Sequence, residues 1–155
     1  MKLKKLLPFA IIGMLIVSCS QENTIKEYMV NSWETTYINI DMPTFKNSDS
    51  TFVFKDDFKN NPPRRARSTY KKDGTFTAWY INQQEEKKGE TAGKWSVVND
   101  SLFIEYKAGA KVVKVGYHIT KTEEGFVGVS NSDWDGDGKK DDLLTMKTKR
   151  LTLEN

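Results

Sequence analysis

Between Trp33 and Arg150 apolar residues recur at every second position, in short runs that turn-forming clusters cut off. This spacing constrains the fold more than any other feature. The cleanest run sets Val113, Val115, Tyr117 and Ile119 against Lys114, Gly116 and His118, a strand with one face buried. Arg65 to Tyr70 and Thr75 to Ile81 flank Lys71-Lys72-Asp73-Gly74, where Asp-Gly supplies the positive φ of a tight hairpin. A second hairpin joins Lys94–Val98 to Leu102–Tyr106 through Asn99-Asp100-Ser101. Trp33–Ile40, Thr51–Phe54, Phe126–Val129 and Leu143–Arg150 bring the total to about nine strands. Only Ile25, Tyr28 and Met29 keep helical spacing, enough for one or two turns. This spacing favours an all-β antiparallel barrel or sandwich over any βαβ design.

Three stretches read as loops. Residues 56–64 hold Pro62-Pro63, which removes ladder donors; 83–90 is charged around Glu85-Glu86-Lys87-Lys88; 131–142 is rich in aspartate. No internal repeat and no long linker divides the chain, so residues 25–155 form one domain.

The N-terminus has a different character. Lys2, Lys4 and Lys5 precede an apolar core from Leu6 to Val17, too short for the ~20 residues that span a bilayer and laid out as a secretory signal. Leu15-Ile16-Val17-Ser18-Cys19 resembles the lipobox of bacterial lipoproteins. That resemblance implies cleavage after residue 18, a diacylglyceryl group on Cys19, and acylation of the new amino end with a chain such as palmitate. Residues 19–24 then read as a tether, and Ser20, in place of the inner-membrane retention Asp, favours the outer membrane, facing periplasm or cell surface.

Losing residues 1–18 removes three lysines and no acid, so the whole-chain net charge of +3 becomes 21 basic against 21 acidic side chains. Nothing global then points to nucleic acid or to anionic lipid. Cys19 is the one cysteine, which leaves none for a disulfide.

Asn31-Ser32-Trp33, the Tyr70–Phe76 hairpin, Gly93-Lys94-Trp95 and Asn99-Asp100-Ser101-Leu102 follow one another in an order that resembles the small lipocalin-like lipoproteins of bacteria. Asn31 stands where the lipocalin signature has glycine. The resemblance implies an up-and-down barrel of about 8–9 strands, closed at one end by the N-terminal helix.

Candidate sites are few. Trp33, Phe76, Tyr80, Trp95, Tyr106, Tyr117 and Met146 offer apolar surface for a barrel lining, whether filled by side chains or open to one small apolar ligand. Asp133, Asp135, Asp137 and Asp141 take positions 1, 3, 5 and 9 of a calcium-type loop, with Gly138 at 6 and the Lys139 carbonyl at 7. Leu144 replaces the bidentate Glu at position 12, so any Ca²⁺ would bind weakly, at roughly 10⁻⁴ to 10⁻³ M.

Arg64, Arg65 and Arg67 form a small basic tract, and His118 is the sole histidine. No Ser, Cys or Asp spacing nominates a nucleophile or a partner for His118, so the expected function is non-enzymatic. Two such functions fit: a binding module for a small apolar or amphipathic molecule, or an interaction lipoprotein that meets an envelope protein partner through its loops.

Overall fold

The computed structural model describes residues 25–59 and 63–152. Residues 25–29 are helical. Nine strands follow: β1 (Ser32–Met42), β2 (Phe52–Asp56), β3 (Arg65–Tyr70), β4 (Thr75–Ile81), β5 (Lys87–Val98), β6 (Ser101–Ala108), β7 (Lys111–Lys121), β8 (Phe126–Ser132) and β9 (Asp142–Arg150). A tight turn at Phe45–Asn47 lies between β1 and β2.

All pairings are antiparallel. Strands β1 and β3 to β9 form an eight-stranded barrel, which the β1–β9 pair closes. β1 serves two neighbours on its other edge. Its first part, Ser32 to Thr35, pairs with β3, and its last part, Ile38 to Met42, pairs with β2. A register shift between Thr35 and Tyr37 accommodates the bend between them. β2 is therefore an extra strand at the sheet's edge.

The turns are made as the residues dictate. Asn99 and Asp100 both take positive φ, 47° and 60°, the requirement of a two-residue hairpin between Val98 and Ser101. Gly74 takes φ 81° and closes the β3–β4 turn. Gly93 is needed for a different reason. A Cβ there would sit 2.1 Å from the Glu105 carbonyl oxygen and 2.6 Å from the Phe76 ring, so the ring occupies the space that a side chain would fill.

Several strand limits differ from the sequence reading. β5 starts at Lys87, so only residues 82–86 remain as the tip expected over 83–90. Ladder hydrogen bonds are made by backbone, and here Lys87 and Lys88, opposite Ile81 and Tyr80, keep their charges in water. β8 runs on to Ser132 and β9 begins at Asp142, which shortens the acidic loop to 133–141.

Chain direction gives the barrel two unlike ends. The helix and the turns after β3, β5 and β7 sit at one end. The β2 excursion, the 82–86 tip and the acidic loop sit at the other. At the helix end Ile25 and Met29 join a buried cluster with Trp33, Trp95, Leu102 and Phe126. Met29, Trp33 and Leu102 are completely shielded from solvent. No helix among the described residues is long and apolar enough to cross a membrane.

Candidate functional site

Strand alternation sends Thr35, Ser68, Tyr70, Phe76, Ala78, Thr91, Tyr106, Tyr117 and Met146 to the barrel interior, where they surround a cavity of about 310 Å³. Of the expected lining residues, Phe76, Tyr80, Tyr106, Tyr117 and Met146 reach it. Trp33 and Trp95 do not, which corrects the sequence reading. Both are core at the closed end, and their indole N–H groups explain why. Trp33 Nε1 donates to the Met29 carbonyl at 3.1 Å, and Trp95 Nε1 donates to the Lys71 carbonyl at 2.9 Å. Each ring is thus fixed in the packed core at the helix end.

The walls are aromatic and bear hydroxyls. Tyr70 stacks on Phe76 at 5.8 Å, and Phe76 meets Tyr106 edge-on at 6.3 Å. Burial pushes the Tyr70 phenol up to about 12, partly offset by its hydrogen bond with Ser68. Burial also raises Tyr117, as do the neighbouring phenols Tyr70 and Tyr106. Tyr70 and Tyr117 are therefore neutral at physiological pH. Arg67 is the one charged residue among those that line the cavity, and its guanidinium is engaged by Glu34 at 3.0 Å.

The mouth carries a feature that the sequence did not announce. Phe58, in the loop after β2, turns its ring into the barrel and is only 8% exposed. Its backbone has φ 59°, a region that bulky residues seldom occupy. Asp56 Oδ1 accepts the Phe58 N–H at 2.7 Å, and the Arg64 N–H donates to the Phe58 carbonyl at 3.2 Å. The Arg64 guanidinium lies over the Phe58 ring at 5.7 Å and over the Tyr80 ring at 5.2 Å, and pairs with Asp56 at 2.6 Å. Beyond Phe58 an outer groove of about 420 Å³ runs along Arg64, Arg65, Ile81 and Asn82. A phenylalanine in a polar, proline-bearing loop was the available signal.

The arginine tract is not a free basic patch. Arg64 pairs with Asp56, Arg65 with Glu85, and Arg67 with Glu34. His118 is exposed on the outer face of β7. A broad groove of about 510 Å³ on the outside of β5 to β7, around Phe103, is open surface rather than interior.

The acidic loop folds differently from the expected ligand order. Asp133, Asp135 and Asp142 bring one carboxylate oxygen each to within 4.8 Å of one another. Asp142 takes the place expected of Asp141 because it opens β9 in phase with the buried Leu144. Its side chain is buried, and Oδ2 accepts N–H groups from Trp134 and Asp135 at 2.6 and 3.1 Å. Asp137 and Asp141 instead face Thr44, whose hydroxyl lies 3.5 and 3.2 Å from them, and the Lys139 ammonium is 3.8 Å from Asp137. Asp133 accepts the N–H groups of Gly136 and Gly138, so carboxylates hold the loop's shape. Trp134 is half-buried, with Nε1 shut from water and without a partner.

Cys19 and the tether lie outside the described residues. Compared with protein-family models, curated proteins and solved structures, the chain shows no match to any of them.

Proposed function

We propose that this chain is a lipid-anchored lipoprotein of the cell envelope that holds a small apolar or amphipathic molecule inside its barrel and performs no catalysis. The observation that carries the reading is the interior cavity of about 310 Å³, walled by Phe76, Tyr106, Tyr117 and Met146. Its size falls at the small end of ligand sites, which run from about 300 to 1,000 Å³. Its apolar walls with a few hydroxyls match the usual composition of such sites. The lipobox-like Cys19 supports the anchor, and Ser20 after it supports the outer membrane.

Native mass spectrometry of the protein purified from its own envelope tests the carrier reading. A co-purified small molecule is expected, and Ala78→Phe, which fills the cavity, should lose it. A bare barrel in both samples would overturn the reading. Placement is tested separately: Cys19→Ser should abolish acylation and release the protein from the membrane fraction.

One observation favours the alternative, a lipoprotein that docks an envelope protein. Phe52, Val53 and Phe54 on the edge strand β2 are 45, 43 and 40% exposed, an apolar strand on a sheet margin. Pull-down of a defined protein that depends on these three side chains, together with an empty cavity, would establish it.

A further inference from the structure

We infer that the Phe58 ring is a displaceable plug that occupies the ligand's seat, and that the ligand is a small uncharged molecule built on an aromatic ring. This deepens the carrier reading and rests on it.

The position of Phe58 is the first support. Among the described residues it is the one that lines both the interior cavity and the outer groove. Its ring is therefore the partition between them, and moving it joins the two spaces. The second support is how the ring is held. The Arg64 guanidinium lies over the ring, Asp56 Oδ1 and the Arg64 N–H hold the Phe58 backbone, and none of these contacts is a β-ladder bond. The ring can leave without unpairing a strand. The positive φ of Phe58 favours that departure, because a bulky residue is strained in this conformation.

The cavity's chemistry supplies the ligand class. A phenyl ring already sits at its mouth, and the walls beyond present Phe76, Tyr106 and Tyr70 in stacked and edge-on arrangements, the geometries in which aromatic rings meet. The Tyr70 and Tyr117 phenols are neutral and the Arg67 charge is matched by Glu34, so a charged ligand would be buried without a counter-ion. The volume corresponds to about ten waters at the ~30 Å³ that each takes in the liquid, room for a single or fused ring but not for a long acyl chain.

The test uses the lipidated protein in lipid nanodiscs, titrated calorimetrically with 2-naphthol, decanol and 2-naphthoate after subtraction of empty discs. The wild type should prefer 2-naphthol over decanol and bind 2-naphthoate at least about tenfold more weakly. A plug that is seated most of the time lowers apparent affinity by the fraction of open molecules. Phe58→Gly should therefore bind 2-naphthol about tenfold more tightly than wild type. Arg64→Gln, which loosens the ring's hold without enlarging the cavity, should gain about two- to threefold.

If both variants bind 2-naphthol no better than wild type, Phe58 is a wall and the inference fails while the carrier reading stands. Preference for decanol or 2-naphthoate overturns the ligand class in the same way. If no probe binds wild type or either variant, and nothing co-purifies, the carrier reading itself falls.

Discussion

The two ends of the barrel solve opposite problems. At the helix end the indoles of Trp33 and Trp95 donate to backbone carbonyls, the Tyr28 hydroxyl donates to Gly125, and apolar side chains fill the space between. Polar atoms there are satisfied by local backbone, so the end can be both dry and fixed. The rim is held by ion pairs with exposed partners, Arg65–Glu85, Lys88–Glu86 and Lys87–Glu90, and by a phenylalanine in a left-handed conformation. Exposed pairs of this kind contribute little, typically up to about 1 kcal/mol each. Stability is thus concentrated at one end, and the other is held more loosely.

The largest expected effect tests that division directly. Trp33→Ala removes a fully buried indole and its hydrogen bond, and should cost about 3–5 kcal/mol in urea denaturation. Arg65→Ala at the rim should stay within about 0.5 kcal/mol. Similar losses for the two would erase the distinction between the ends.

A smaller effect sharpens it along the seam between β1, β3 and β9. Glu34 lies on the outer face of β1, buried, with Arg67 on one side and Lys149 on the other, each at 3.0 Å. Burial pushes its carboxyl up, but hydrogen bonds from Lys149 and Arg67, with their charges, outweigh burial and hold it below the ordinary carboxylate value. The unfolded chain therefore binds the proton more readily than the folded one. The pair's stabilisation is complete above the unfolded carboxylate pKa of about 4.3 and is lost as pH falls through the lower folded value. Glu34→Gln should cost about 1–3 kcal/mol at pH 7 and flatten the acid limb of the stability curve. An unchanged acid limb would show that the seam does not depend on this charge.

Much of the barrel was legible because strand alternation is a local signal. Arg65–Tyr70 and Thr75–Ile81 have the limits that their apolar phase and the Asp73-Gly74 turn imply. The start of β5 was hidden because Lys87 to Glu90 carry the composition of a loop, whereas backbone pairing with β4 is indifferent to charge at a wetted rim. Asp142 was within reach: it shares the phase of Leu144 and Met146, so the same parity that buries those residues buries its carboxylate. Phe58 was not. An apolar ring in the polar stretch 56–64 was the one signal, and it does not say that the barrel mouth lies beside it, since that proximity is made by β1 leaving β3 to pair with β2.

The smallest effect belongs to the acidic loop at the rim and asks whether this end can be tightened from outside. Three carboxylate oxygens within 4.8 Å repel one another, and a divalent cation would turn that repulsion into attraction. With a dissociation constant near 1 mM, 10 mM free Ca²⁺ would stabilise the fold by about 1.4 kcal/mol and raise the melting temperature by about 4 °C. Asp133→Asn removes a charge and one of the two oxygens that accept from Gly136 and Gly138, so it should abolish the increment and slightly lower the calcium-free melting temperature. Mg²⁺, which demands a tighter octahedral shell, should give a smaller rise. An equal rise with Asp133→Asn would mean that the cation acts elsewhere on the protein. No rise at all would mean that the aspartates serve only to shape the loop.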